Sequence, residues 1–107
     1  MSNTIYTINK DEFFERVLYE NLDGSVKDLT GHTSLIRVTK YYGSANTISI
    51  NGTIELPATS GIVRYNAPFT IWNNVDAGAY VYSRYLYDNL GKVVDVVSGD
   101  LILIPAV

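Results

Sequence analysis

The side chains able to do chemistry in this chain are few and widely spaced. His32 is the single histidine, and there is no cysteine. A nucleophilic triad needs an imidazole beside its nucleophile and a third group that orients the ring. His32 directly follows Gly31 in a turn-like stretch, so it reads as an exposed turn residue. With no second His or Cys, the usual zinc ligand sets cannot be assembled, and a disulfide framework is excluded. Among the carboxylates, Asp11, Glu12, Glu15 and Glu20 cluster, and Asp95 and Asp100 do so more loosely. Glycoside hydrolysis needs two such groups facing one another across a cleft, which a chain of this size has little room to build. A solvated acidic face is the plainer reading. Asp23, Asp28 and Asp88-Asn89 offer oxygens of the kind calcium takes, but without EF-hand spacing they read as turn caps. No phosphate-cradling glycine pattern occurs, and Asn51-Gly52-Thr53 reads as a hairpin turn before a glycosylation site. The expectation is a non-enzyme with no catalytic, cofactor or metal residue.

The elements that would carry these groups belong to one domain, residues 1–107. At 47% apolar composition the chain can fill a single core. A net charge of −3, with eight basic residues dispersed from Lys10 to Lys92, argues against a nucleic-acid partner. The start lacks a basic, apolar leader, and runs such as Leu101–Ile104 are too short to span a bilayer. A soluble protein made in a reducing cytoplasm, with no membrane role, is expected.

Nine tyrosines and many Thr, Val and Ile suit pleated, half-buried surfaces, and glycines recur at roughly ten-residue intervals. This pattern is the signature of a sandwich or barrel of short antiparallel strands; with the tyrosine-corner motif described below, the reading is an all-β, immunoglobulin-like antiparallel sandwich of about seven to nine short strands. Strands are expected at Thr4–Ile8, Ser34–Tyr42, Ile62–Tyr65, Phe69–Trp72, Ala79–Tyr87 and Lys92–Ile104, the last bent near Ser98-Gly99-Asp100. A hairpin is expected from Thr47–Ile50 and Thr53–Leu56 around Asn51-Gly52, with Pro57 ending the pairing. Residues 12–22 are ambiguous. Their apolar spacing leans to a helix, with Asn9 and Glu12 like a capping box, yet a sandwich needs a strand there, and a strand is the reading adopted.

The most informative motif is Asp76-Ala77-Gly78-Ala79-Tyr80-Val81-Tyr82, the pattern of a tyrosine corner entering a late strand. Asp76, Gly78, Tyr80 and Tyr82 are therefore structural candidates, and Gly31 and Gly91 join them as turn glycines. Arg84 shares the parity of Tyr80, Tyr82 and Leu86, so it points inward unless a bulge reorients it. Tyr85 and Tyr87 take the opposite parity and face outward. Together with Tyr41 and Tyr42 at a strand end, they are the interface candidates; packing across a strand pair is the alternative.

The order Asp11-Glu12-Phe13, Leu22-Asp23-Gly24, Asp28-Leu29-Thr30-Gly31, Arg37, Gly61-Ile62-Val63, Gly78-Ala79-Tyr80-Val81-Tyr82, Asp88-Asn89-Leu90-Gly91-Lys92-Val93 and Gly99 resembles small β-sandwich domains of tailed bacteriophages. It is similar to the N-terminal immunoglobulin-like domain of the upper baseplate protein family. The resemblance implies a virion structural protein, made in the host cytoplasm, that docks by its sheet surface or edge onto other virion proteins. A homo-oligomer in a symmetric particle is among the implied assemblies. The chain stops at Pro105-Ala106-Val107 without the family's helical extension, which points to a tail, baseplate or neck adaptor or a decoration subunit. A carbohydrate-binding or host-adhesion module, with tyrosines stacked on glycans, is the alternative.

Overall fold

The computed structural model describes residues 4–8, 12–43, 48–73 and 75–105. Asn9 of the expected capping box, Asp11, Thr47, and Ala106 and Val107 at the end lie outside the described residues. Among the described residues seven strands form: β1 (Ile5–Ile8), β2 (Phe13–Leu18), β3 (Thr33–Thr39), β4 (Ile48–Ile54), β5 (Ile62–Ala67), β6 (Gly78–Tyr87) and β7 (Val93–Ile104). Their hydrogen-bonded order is β1-β7-β6-β3-β4-β5-β2.

That order folds over at β4. Residues Ile48–Asn51 of β4 pair with β3, and Gly52–Ile54 pair with β5. One layer therefore holds β1, β7, β6 and β3, and the other holds β5 and β2. The result is an immunoglobulin-like sandwich, as expected, except that it is mixed: β1 runs parallel to β7 from Ile5↔Leu101 to Ile8↔Ile104.

Alternation builds the core. Ile36 and Val38 of β3, Tyr80, Tyr82 and Leu86 of β6, and Leu101 and Leu103 of β7 are buried from one layer. Phe13, Val63, Tyr65 and Ala67 oppose them from the other. Residues 12–22 form a strand at Phe13–Leu18, then an irregular link whose Glu20 bridges Val26. Helical periodicity loses here because Phe13, Val17 and Tyr19 share a strand face toward that core.

The expected hairpin at Asn51-Gly52 is corrected. These residues lie inside β4, where the strand passes from one layer to the other. Glycine is needed there for space: a Cβ on Gly52 would fall 2.6 Å from Val63 Cγ1 and 2.8 Å from Tyr65 Cε1. The expected strand Phe69–Trp72 is a short 3-10 helix entered from Pro68. It drops Trp72 into the core edge-on to Phe13, with ring centroids 6.1 Å apart. The ladder between β6 and β7 runs without slip through Ser98-Gly99-Asp100, and its irregularity lies between Leu86 and Tyr87. No bulge rescues Arg84, which stands in register with Val97 and points inward. β3 stops at Thr39, short of Tyr41-Tyr42.

Candidate contact site

The tyrosine corner forms as its spacing requires. Tyr80 Oη donates to the Asp76 carbonyl at 2.7 Å, tying the entry of β6 to the loop before it. Lys40 Nζ lies 4.7 Å from the Tyr80 ring centroid and donates to the Ala79 carbonyl at 3.2 Å. Burial, with Asp76 second, pushes the Tyr80 hydroxyl above its usual pKa. Tyr82 is buried as a core ring. Gly31 has φ +76°, and a Cβ there would come within 2.9 Å of Asn89 Cβ. The glycine thus lets the β2–β3 connector lie against the β6–β7 turn. Gly91, at φ +80°, closes that turn by donating to the Asp88 carbonyl at 3.0 Å.

The loop carboxylates serve their own turns. Asp88 Oδ1 accepts from Leu90 N and Lys92 N, both at 2.9 Å. Asp23 and Asp28 do the same for Ser25 and Thr30. These bonds hold all three carboxyls below the usual range. His32 Nδ1 lies 3.1 Å from the Thr30 carbonyl in the same connector. Among the described residues, no three His, Asp or Glu side chains gather to hold a metal ion.

Tyr41 and Tyr42 are exposed, and Tyr42 Oη reaches the Gly99 carbonyl at 3.2 Å. Tyr85 and Tyr87 are half-buried on the outer face and stack on one another at 6.1 Å. The Arg37 guanidinium sits 5.8 Å from the Tyr85 centroid. Tyr42, Tyr85 and Tyr87 therefore lie along one side of the β3–β6–β7 layer, while Tyr41 stands exposed beyond the end of β3. Arg37, Thr39, Tyr42, Gly43, Ser83 and Tyr85 line a shallow groove of about 190 Å³ there.

Sequence reasoning missed a polar chain between the layers. Arg84 Nε donates to Tyr19 Oη at 3.1 Å; Tyr19 Oη lies 3.0 Å from Tyr65 Oη; Tyr65 Oη meets Ser34 Oγ; and Ser34 Oγ donates to the Tyr85 carbonyl at 2.6 Å. A guanidinium only donates and a carbonyl only accepts, so the protons run one way from Arg84 to Tyr85. Burial pushes the Tyr65 hydroxyl far above its usual pKa. Glu15, in register with Tyr65, is raised by burial against the opposing pull of Arg84. The only available signal was the inward parity of Arg84.

The feature with the clearest contact chemistry is an edge. β1 pairs with β7 at Leu101–Ile104, and among the described residues Val93–Val97 have their ladder pairing with β6 alone. Val93, Val94 and Val96 on that stretch are 43%, 44% and 49% exposed. Beside it, Leu22 stands fully in solvent, and a groove of about 380 Å³ runs between Tyr19–Leu22 and Val94–Asp95. β2, the margin of the other layer, pairs among the described residues with β5 alone and exposes Phe14 and Leu18.

No family model matches this chain, and no curated protein does. Among solved structures, it is similar to the crystal structure of the Lin-41 filamin domain, with TM-score 0.47 and 15% identity over 94% of this chain and 86% of that one. Among the described residues, no helix is long and apolar enough to cross a membrane.

Proposed function

We propose that this chain is a non-enzymatic structural subunit of a tailed-bacteriophage virion, a tail, baseplate or neck adaptor or a decoration protein that works through protein–protein contact. The observation that carries the contact role is the one-sided edge at Val93–Val97, lined by exposed valines. An unpaired strand edge presents a row of backbone donors and acceptors that another strand can complete. The virion assignment rests on the resemblance of the sequence to small phage sandwich domains. Particle symmetry would repeat a modest edge contact many times, so weak pairing adds up to firm attachment.

The test is made in the particle. A photo-crosslinking amino acid at Val96, irradiated in purified virions, should join this chain to another virion polypeptide or to a second copy. A chain absent from purified virions, or one that crosslinks to nothing there, overturns the proposal.

A second reading, glycan binding, is favoured by the groove between Tyr42 and Tyr85. It joins two aromatic faces to the Arg37 guanidinium and the Ser83 hydroxyl, groups suited to stacking on and hydrogen-bonding a sugar. Glycan-array binding lost in Tyr42→Ala and Tyr85→Ala would support it; an array without signal would remove it.

A further inference from the structure

We infer that the groove between Tyr42 and Tyr85 takes the carboxylate-bearing ring of an acidic sugar, a uronate or a sialate, with its carboxylate on the Arg37 guanidinium. The inference rests on the glycan reading above and names the class of sugar. It is independent of the valine edge. The groove opens on the outer face of the β3–β6–β7 layer, so one subunit has room for both contacts.

Register puts Arg37 near the middle of that face. Its row across the sheet is Ser49, Arg37, Ser83 and Ser98, and the row beside it is Asn51, Leu35, Tyr85 and Val96. Neither row holds a carboxylate. Asp100 stands one row beyond Ser98, opposite Val81. Strand and residue spacings put it about 12 Å from Arg37, past the roughly 8 Å over which exposed charges act in physiological salt. No carboxylate among the described residues pairs with Arg37. On a chain with a net charge of −3, this face therefore offers an unneutralised cation.

The cation is also held in place. Tyr87 and Tyr85 stack at 6.1 Å, and the Arg37 guanidinium lies 5.8 Å from the Tyr85 centroid. Stacking fixes the plane of the guanidinium and leaves its edge N–H groups to donate, and a carboxylate accepts from such a fork with both oxygens. Tyr42 is the facing wall. Its hydroxyl donates to the Gly99 carbonyl at 3.2 Å, which ties the ring across the face while it stays 59% exposed. With Ser83 also lining the groove, a sugar ring finds an apolar face to cover, an anion partner and a hydroxyl partner. At about 190 Å³ the groove is smaller than the cavities of about 300–1,000 Å³ that enclose drug-sized ligands, so it suits a single ring. An acidic peptide would meet Arg37 equally well, but the exposed aromatic wall matches the flat face of a sugar.

The test is an NMR titration of the whole protein with two acidic sugars and their neutral counterparts: a galacturonate trimer against maltotriose, and sialyllactose against lactose. A glutamate tripeptide serves as the non-sugar anion. At least one acidic sugar should shift the Tyr42, Ser83 and Tyr85 resonances and bind about tenfold tighter than its neutral counterpart. Arg37→Gln should remove that advantage, and Arg37→Lys should restore only part of it, because an ammonium lacks the fork. Tyr42→Ala should weaken both kinds of sugar. Both side chains are exposed, so the variants should keep the parent's melting temperature. Acidic and neutral sugars that bind equally, with Arg37→Gln indifferent, overturn the acidic class and leave glycan binding standing. A glutamate tripeptide that binds as tightly as the acidic sugars overturns the sugar assignment. No shift with any sugar, together with a silent glycan array, overturns both this inference and the glycan reading.

Discussion

The two halves of β7 are one strand in two situations. At Leu101–Ile104 it is flanked by β1 and β6, and Leu101 and Leu103 are buried. At Val93–Val97 it has, among the described residues, β6 alone, and valines of both parities reach solvent. Apolar side chains stand in both halves, so composition does not separate them. What differs is whether the opposite layer and a flanking strand cover them. A β-branched run thus serves as core in one place and as contact surface in another.

That contrast carries predictions of decreasing size. Leu101→Ala should cost about 2–5 kcal/mol of unfolding free energy, as large-to-small changes in packed cores do. Val96→Thr, on the open half, should change it by no more than about 0.5 kcal/mol. Chemical denaturation of the two variants measures the difference, and similar losses would mean that the open half is covered after all.

Tyr65→Phe tests the polar chain beneath the open half. It removes the hydroxyl linking Tyr19 to Ser34 and should cost about 1–3 kcal/mol, since buried partners lose a bond without regaining water. A neutral result would show that water replaces the link.

The smallest effect concerns Glu15. Its folded pKa is raised, chiefly by burial, so the folded state holds this proton more tightly than the unfolded chain does. Ionisation therefore opposes folding: the penalty is absent below the unfolded carboxyl pKa and grows to its full value as pH rises through the folded one. Glu15→Gln should be slightly more stable than the parent near neutrality, with the gain fading in acid. Thermal melts at both pH values check the direction. A loss of stability near neutrality would mean that the Arg84 attraction outweighs burial.

Much of the fold was legible from spacing. Parity put Tyr80 and Tyr82 inward and Tyr85 and Tyr87 outward, and the tyrosine corner announced its own hydrogen bond. The errors share a cause. Asn51-Gly52 has the composition of a tight turn, but its glycine answers to Val63 and Tyr65 across the strand pair. Phe69–Trp72 has strand composition, yet Pro68 leads it into a 3-10 helix that seats Trp72. Of the contact site, the valines were visible but their exposure was not. Exposure depends on how far β1 extends along β7, which no local pattern encodes.

Alternation, turn glycines and the Asp76–Tyr80 motif were enough to establish the sandwich class and which way most side chains face, because these follow from backbone geometry within a few residues. Where β4 changes layers, how Arg84 is satisfied inside, and which stretch of β7 stays open depended on folding. Those outcomes are set by contacts between residues far apart in the chain, and each strand's environment exists only once its neighbours are in place.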